Sequence, residues 1–418
     1  MSLDSRKWFA PPAIVLAAAA ALVVCSQPSR VGSAAFAAQT TRLKIGVDLP
    51  LSGAEAAGNI PTENGVLLAI EEAGRAGFAP GYTLAPYVLD DAVEGKHDPA
   101  QGAQNVRTFI ADPSVLGIVG PANSNVAKAE IPITNDAGLV QIAASTTADG
   151  LTRGPDAARL RVEHPDTTTF FRLCTLDSLQ GAAGARFARK LGLNKAFIID
   201  DNETYGKGLA DVFEQKFGSA GGTIVGHEHI LPTQTDFTPL LSKVRGAGAD
   251  VIFYGGVSST GGGLLRRQQV NNGFGGIVLL GGDGLSGGDF VETAGAAADG
   301  TYYTVSAPDV TRWPGAREFV AAYRARFKAD PGPYSANGYA AAKIIIAALS
   351  RSIALDRGAP PNRAQVLANV AATKNFLTPV GSISFDRYGD TTGPILSLYQ
   401  VEHGKARFIN RTAVANTR

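Results

Sequence analysis

Two hydroxyl-rich loops contain groups that could bind a small anion. Residues 120–125 (Gly-Pro-Ala-Asn-Ser-Asn) follow one predicted strand and precede a helix, and residues 143–147 (Ala-Ala-Ser-Thr-Thr) follow the next strand. Parallel strands end at a common edge of a sheet, where small ligands bind. Backbone N–H groups and hydroxyls at a helix start can hold a carboxylate without a cation. Helix capping explains either loop alone equally well, but the two together favour ligand binding.

A glycine-rich segment in the second half of the chain supplies a possible acidic partner. Residues 282–287 (Gly-Asp-Gly-Leu-Ser-Gly) match the dinucleotide pattern G-x-G-x-x-G. However, Asp283 would face any pyrophosphate with a carboxylate, and no acidic residue follows about 20 positions later to bind a ribose. We therefore predict no cofactor. We interpret the segment as a strand-end loop that brings Asp283 close to a ligand, where its carboxylate could pair with an ammonium group.

Metal and catalytic chemistry have weaker support. His227 and His229 lie two apart in a predicted strand and so share one face. No further residue has the spacing of a third ligand, and we predict no metal site. The other histidines, His97, His164 and His403, are expected to face solvent. The sequence has no G-x-S-x-G nucleophile motif, so we predict that the protein is not an enzyme.

The elements that position these residues alternate regularly. Strand-like runs at 43–47, 82–89, 115–119 and 139–144 alternate with helical patterns, and the same rhythm restarts after Phe171. Such alternation is typical of parallel βαβ units. We predict an α/β fold with two doubly wound parallel-sheet lobes, which are joined by a hinge of several chain crossings.

The last hundred residues do not form a third lobe. Residues 316–328 and 339–352 are amphipathic helical patterns with no strand between them. We expect them to pack on the first lobe and the last strands to join the second. The predicted division is 42–173 plus 307–382 for lobe 1, 174–306 plus 383–405 for lobe 2, and 406–418 as a C-terminal tail.

Composition narrows the class of partner. The chain has 418 residues, of which 45% are hydrophobic and 18% charged, enough to bury a sizeable core. Its formal charge is +1, and without residues 1–37 it has 35 basic and 36 acidic side chains, a net of −1. This balance provides no basic surface for nucleic acid or an anionic membrane.

The N-terminus resembles an export signal. Arg6 and Lys7 precede an apolar run from Ala13 to Val24, and Ala35-Phe36-Ala37 provides a cleavage site. We predict a signal peptide over residues 1–37 and a periplasmic or other extracytoplasmic protein. The alternative is a lipid anchor on Cys25, which we consider less favoured because Val24 replaces the small residue that a lipobox has before its cysteine.

Several short motifs together resemble the branched-chain amino-acid-binding proteins of ABC transporters, within the type I periplasmic binding family. The resemblance spans about residues 43–401, and its order and spacing are more specific than any single piece. The motifs are Lys44-Ile45-Gly46-Val47, Pro50-Leu51-Ser52-Gly53, Asp90-Asp91, Phe171-Arg172, Asp177, Gln180-Gly181, Tyr205-Gly206-Lys207-Gly208-Leu209-Ala210, Asp236-Phe237, Gly281-Gly282-Asp283-Gly284, Phe385-Asp386 and Gly389-Asp390.

The resemblance implies two lobes that close over a small ligand. By position, Ser124, Ser145 and Thr147 match the residues that hold the ligand's α-carboxylate and amino group. Tyr205 matches an aromatic residue of the second lobe that covers the ligand, and Asp283 matches the acidic partner of the ammonium group.

The side-chain end of the pocket departs from the family pattern. The family often has aromatic residues where this chain has Ala57, Val257 and Ser258. We therefore expect a pocket wall that is wider and suits a larger or more polar ligand than leucine, isoleucine or valine.

These observations lead to one functional prediction and its alternatives. We predict a monomeric solute-binding protein of an ABC transporter, which delivers an amino acid or similar small ligand to a membrane permease. The alternatives are a ligand sensor that signals to a receptor or regulator, and a protein that binds an aromatic carboxylate instead of an amino acid.

Overall fold

Two separate β-sheets organise residues 40–413, the part of the chain that the computed structural model describes. The predicted signal peptide and Cys25 lie outside these residues. The first sheet has five strands in the order β2-β1-β5-β6-β7, and all of its neighbours are parallel. Its strands are β1 (Thr41–Leu49), β2 (Tyr82–Asp90), β5 (Val115–Val119), β6 (Gln141–Ala143) and β7 (Phe170–Arg172).

The second sheet has seven strands in the order β16-β15-β12-β11-β10-β8-β9. Five adjacent strands of this sheet are parallel, namely β9, β8, β10, β11 and β12. Strand β15 is antiparallel to β12, and β16 is antiparallel to β15. The strands are β8 (Lys195–Asp200), β9 (Thr223–His229), β10 (Val251–Gly255), β11 (Val278–Gly281), β12 (Tyr302–Val305), β15 (Ile395–Glu402) and β16 (Lys405–Ala413). Two small hairpins complete the strands: β3 (Ala92–Val93) with β4 (Lys96–His97), and β13 (Phe376–Thr378) with β14 (Gly381–Ile383).

Helices connect the strands, because parallel neighbours need long crossover connections. They are α1 (Ala56–Arg75), α2 (Pro99–Ala111), α3 (Ser124–Ala137), α4 (Gly154–Arg159), α5 (Asp177–Lys190), α6 (Thr204–Ser219), α7 (Thr238–Gly246), α8 (Gly262–Asn271), α9 (Gly288–Ala294), α10 (Arg317–Phe327), α11 (Ser335–Leu355) and α12 (Arg363–Ala371). The architecture is thus the predicted α/β fold with two doubly wound lobes, although the second sheet also has two antiparallel strands at one edge.

The first sheet is covered on both faces. Alternate residues of β1, among them Ile45 and Val47, join α1, α10, α11 and α12 in one hydrophobic core. On the opposite face, Phe109 of α2 packs with Ile118 of β5. Burial on both sides explains why the central strand β5 is a continuous apolar run in the sequence.

Helix α11 is long and apolar enough to span a membrane by length and composition, and it is the one such helix among residues 40–413. Its side chains, including Ile345, lie in the core against the first sheet. It is therefore a core helix of the first lobe.

The chain boundaries differ from the prediction near the C-terminus. Residues 383–391, expected in lobe 2, lie with the first sheet, because Phe385 packs on Phe171 with ring centroids 4.9 Å apart and Asp390 pairs with Arg172. Residues 406–413, expected to be a tail, belong to β16, which pairs with β15 along its length. The polar composition of this edge strand conceals it in the sequence.

Candidate functional site

The predicted first-lobe residues lie at the carboxyl ends of β5 and β6, as the strand order requires. Ser124 is the first residue of α3, and Ser145 and Thr147 follow β6. Ser145 donates a hydrogen bond to the Ala122 carbonyl at 3.1 Å. The Ser124 hydroxyl accepts one from the backbone N–H of Ala148 at 3.3 Å, and it can still donate its own proton. All three residues line one cleft.

The second lobe places Tyr205 and Asp283 on the same cleft. Tyr205 lies in the first turn of α6, and Asp283 follows β11. The Tyr205 hydroxyl donates to Asp283 Oδ1 at 2.5 Å and accepts a hydrogen bond from the Gly284 N–H at 3.2 Å. Burial raises the pKa of Asp283, and the hydrogen bonds from Tyr205 and Tyr334 partly oppose this rise. The resemblance-based assignment therefore brings together five residues that are up to 159 positions apart in the chain.

Tyr334 is a member of this cluster that sequence reasoning missed. Its hydroxyl donates to Asp283 Oδ2 and accepts from the Ser306 N–H at 3.1 Å. Tyr334 directly precedes α11 and has a left-handed backbone conformation, with φ at +60°. This conformation is uncommon outside glycine, and nothing in the local sequence indicates that the segment reaches the cleft.

The charged side chains that line the cleft are all acidic. Among the described residues, the lining includes Glu55, Glu203, Asp283 and Asp289 but no lysine or arginine. Asp289 lies in the first turn of α9, and burial raises its pKa to about 6. An excess of carboxylates favours a ligand that has at least one positive charge.

A buried histidine joins two of these carboxylates across the lobes. His97 Nδ1 lies 2.7 Å from Glu55 Oε1, and its Nε2 lies 2.9 Å from Glu203 Oε2. Glu55 also accepts a hydrogen bond from Ser259 at 2.7 Å. Burial by itself would lower the pKa of His97, but hydrogen bonds and charge from Glu203 and Glu55 outweigh it and raise this pKa to about 10. The expectation that His97 faces solvent is wrong, because the β3–β4 hairpin turns it into the interior.

The three predicted wall residues are placed differently from one another. Val257 lines the cleft. Ser258 is buried, with 5% of its surface exposed, and is not among the lining residues. Ala57 is not among them either: a Cβ placed on Gly288 would lie 3.9 Å from its Cβ. Small residues on both lobes therefore let the two backbones approach each other at Ala57 and Gly288.

The two strand histidines have a third partner after all. Asp200 Oδ2 lies 2.7 Å from His227 Nε2 and 2.8 Å from His229 Nδ1. The spacing of the histidines in the sequence does not indicate Asp200, since β8 brings it beside β9 from 27 positions away. None of the three residues lines the cleft.

Comparisons with known proteins show the family and the fold. A family model described as "Periplasmic binding protein" matches residues 42–406. The chain is 30% identical to Leu/Ile/Val-binding protein homolog 3 of Brucella melitensis over 374 residues, which are 89% of this chain and 94% of that protein.

Solved structures extend the comparison. The branched-chain amino acid transporter substrate binding protein LivJ from Streptococcus pneumoniae, in complex with isoleucine, is 27% identical with a TM-score of 0.76, and the match covers 90% of this chain and 99% of LivJ. A solute binding protein from R. palustris in complex with benzoate has a TM-score of 0.74 at 22% identity, with 90% of this chain and 98% of that chain covered. The second likeness is one of fold.

Proposed function

The chain belongs to the periplasmic binding protein family, and from this membership we propose that it binds an amino acid or amino-acid-like ligand for an ABC transporter. The family is one of solute-binding proteins. The observation that carries the proposal is that hydroxyls of the first lobe and the Asp283 carboxylate of the second face a single cleft.

Each end of an amino-acid head group has a matching partner in this cleft. The hydroxyls of Ser124 and Thr147, together with the first amides of α3, supply donors for a carboxylate, and the Ser145 hydroxyl can join them by turning away from the Ala122 carbonyl. Asp283 supplies an acceptor and a negative charge for an ammonium group. A ligand that contacts both lobes stabilises the closed state by its differential affinity for that state.

A second candidate ligand is an aromatic carboxylate, which the benzoate-bound structure with the same fold supports. Such a ligand would use the hydroxyls of the first lobe but would leave Asp283 without a cation. The acidic lining of the cleft therefore favours the ligand that has an amine.

Export and delivery are also part of the proposal. A signal peptide over residues 1–37 would release a monomeric protein that begins near Ala38, in the compartment where a membrane permease can accept its ligand. We expect the intact mass of the exported protein to match this start, and a diacylglyceryl group on Cys25 would contradict it.

A thermal-shift panel on the purified protein tests the ligand class. The panel contains aliphatic, aromatic, polar and basic amino acids, and benzoates without an amine. A ligand at 100 times its Kd adds about 2.7 kcal/mol of stability, which gives a clear shift. We expect amino acids with polar or basic side chains to give the largest shifts. A largest shift with leucine, isoleucine or valine would overturn the preference for polar or basic side chains that the acidic lining supports, and a largest shift with a benzoate would replace the amino-acid proposal.

A further inference from the structure

The open edge of the second sheet brings metal-binding side chains together outside the cleft. Strand β9 is the edge strand, and its residues His227 and His229 alternate so that both imidazoles lie on one face. In the register of the parallel pair, Asp200 at the end of β8 lies opposite His229, and Ile198 lies opposite His227. Paired residues share a face, so Asp200 lies on the same side as both imidazoles.

The donor atoms of these three residues converge on one point. One oxygen, Asp200 Oδ2, lies 2.7 Å from His227 Nε2 and 2.8 Å from His229 Nδ1. All three donor atoms lie within 4.8 Å of one another. Zinc bonds of about 2.0–2.2 Å in tetrahedral geometry place donor atoms roughly 3.3 Å apart. Small side-chain rotations would therefore admit an ion.

A fourth residue orients one of the imidazoles. His227 Nδ1 lies 2.7 Å from Glu214 Oε2, which α6 supplies. Histidine ligands of metals commonly donate their second ring N–H to a carboxylate, which fixes the tautomer and increases ligand basicity. With Nδ1–H donated to Glu214, the Nε2 atom of His227 is directed at Asp200, and it becomes a metal ligand when an ion replaces the proton between them.

Burial and exposure at this cluster also suit an ion. Asp200 is fully buried, whereas the side chain of His229 is 50% exposed. The buried carboxylate supplies a fixed negative charge, and the exposed histidine leaves an entry path and an open coordination position for water.

We propose that Asp200, His227 and His229 form a zinc site, with Glu214 as the residue that orients His227. Two imidazole nitrogens and one carboxylate oxygen suit Zn²⁺, whereas Ca²⁺ and Mg²⁺ prefer oxygen ligands. The ion would join β8 to the edge strand β9 and would lie apart from the ligand cleft.

Titration calorimetry with ZnCl₂ tests the proposal on the mature, tag-free protein after dialysis against EDTA. We expect one zinc per chain, and calcium at the same concentration should not compete. His229→Ala should weaken zinc binding at least tenfold, because even loss of an orienting partner weakens metal sites by about 10–100-fold. The matched control is His164→Ala, which removes an exposed histidine outside the cluster.

Three outcomes would overturn the proposal: no zinc binding by the wild type, equal zinc affinity in His229→Ala, or equal loss in His164→Ala. In the first case, the four side chains form a hydrogen-bonded charge network only. Circular dichroism and amino-acid binding should be unchanged in His229→Ala, since His229 is half-exposed and outside the cleft. Loss of either would indicate a folding defect, and zinc binding would then be measured in Glu214→Gln, which keeps both histidines and should weaken zinc binding.

Discussion

At the scale of single residues, Asp283 is a buried carboxylate in the cleft that has no cationic hydrogen-bond partner among the described residues. Its two oxygens accept hydrogen bonds from the hydroxyls of Tyr205 and Tyr334, and only 9% of its surface is exposed. Burial raises the pKa of this carboxyl, which means that its charged form lacks full compensation from the protein. A ligand ammonium group would supply that compensation.

We predict that Asp283→Asn weakens binding of an amino acid more than tenfold. The asparagine keeps the size of the side chain and a carbonyl acceptor but removes the charge. Truncation of a buried charged partner typically weakens a complex by about 2–5 kcal/mol. Calorimetry on wild type and variant measures the difference.

Asp166→Ala is the control for this measurement, since Asp166 is exposed and remote from the cleft lining. Equal affinities in wild type and Asp283→Asn would remove Asp283 from the site. If Asp283→Asn binds a carboxylate without an amine as tightly as the wild type does, this result would support the assignment of Asp283 to the ammonium group.

The cleft-lining residues that the sequence could indicate are those beside a strand end or a helix start. Five residues could be assigned to the cleft because each follows a strand or begins a helix within a recognisable motif: Ser124, Ser145, Thr147, Tyr205 and Asp283. Tyr334 could not be assigned from the sequence, because its own left-handed backbone conformation directs it to the cleft. His97 could not be assigned either, because the short β3–β4 hairpin positions it. Asp200 was missed as a partner of the histidines because the pairing of β8 with β9 cannot be deduced from spacing.

At the scale of elements, helices α1 and α11 approach closely through glycines. A Cβ on Gly65 would lie 2.0 Å from the Ser335 carbonyl oxygen, and one on Gly338 would lie 2.5 Å from the Thr62 carbonyl oxygen. Backbone atoms cannot move aside as a flexible side chain can. The two helices must therefore separate if either glycine gains a side chain.

We predict that Gly65→Ala lowers the free energy of unfolding by about 1–3 kcal/mol or more, as overpacking does. Gly74→Ala in the same helix is the matched control, because a Cβ there meets nothing within 4 Å. Removal of an exposed helical glycine should leave stability equal or slightly higher. Urea unfolding of both variants measures the contrast, and equal stabilities would contradict the close approach.

Three elements also bring buried carboxyls together. Asp48 of β1, Asp91 after β2 and Glu130 of α3 have carboxylate oxygens within 4.8 Å of one another, and all three residues are buried. Burial raises the pKa of Asp48 to about 6, and burial with the neighbouring charges raises the pKa values of Asp91 and Glu130 well above their usual range. The folded state therefore keeps protons that the unfolded chain releases.

The sign of the resulting pH dependence follows from linkage. A carboxyl whose pKa is raised by folding contributes stability that is complete below its unfolded pKa, near 4, and is lost as pH rises through its folded pKa. For Asp48 this loss runs from about pH 4 to about pH 6, and the higher pKa values of Asp91 and Glu130 extend the loss to higher pH. We predict that Glu130→Gln, which has no proton to lose, shows a smaller fall in Tm between pH 5 and pH 8 than the wild type.

The comparison uses the slope of Tm against pH, so a constant loss of stability from the substitution cancels. Glu163→Gln, at an exposed position, should keep the wild-type slope. An unchanged slope in Glu130→Gln would mean that the cluster is not the source of the pH dependence.

The sequence predicted the alternation of elements well and their assignment to lobes less well. Strands such as β5 and β10 are fully buried. Because burial requires apolar residues along the whole strand, these strands are recognisable in the sequence. Strand β16 is an exposed edge with polar residues, and residues 383–391 are held by Phe385 and Asp390 through contacts more than 200 positions apart. Neither feature leaves a local periodic pattern.

At the scale of the whole molecule, His97 links the lobes by a charged contact. Its imidazole joins Glu55 of the first lobe to Glu203 of the second, and Lys96 donates from the same hairpin to the Pro232 carbonyl at 2.9 Å. A pKa of about 10 keeps the imidazole protonated. The charged imidazole of His97 stabilises the folded protein, since its pKa in the folded state lies above the ordinary value. This stabilisation is complete below about pH 6.5 and is lost as pH rises through about 10.

We predict that His97→Gln opens the ligand-free molecule. Small-angle X-ray scattering should give a larger radius of gyration than for the wild type, and the decrease on addition of ligand should be greater. Ligand affinity should fall because a smaller fraction of the variant is closed in advance. His164→Ala is the control, and superimposable scattering curves for His97→Gln and wild type would contradict a role for His97 in closure.

The return of the chain to the first sheet has a consequence for the order of synthesis. Strand β7 ends at Arg172, yet α11, which covers one face of that sheet, begins only at Ser335. During elongation, more than 160 residues must be added before Ile345 and its neighbours can seal that face. One apolar face of the first sheet therefore stays uncovered while the parallel strands of the second lobe are synthesised. A chain stopped after Val305 would present that surface to any holdase or to another copy of itself.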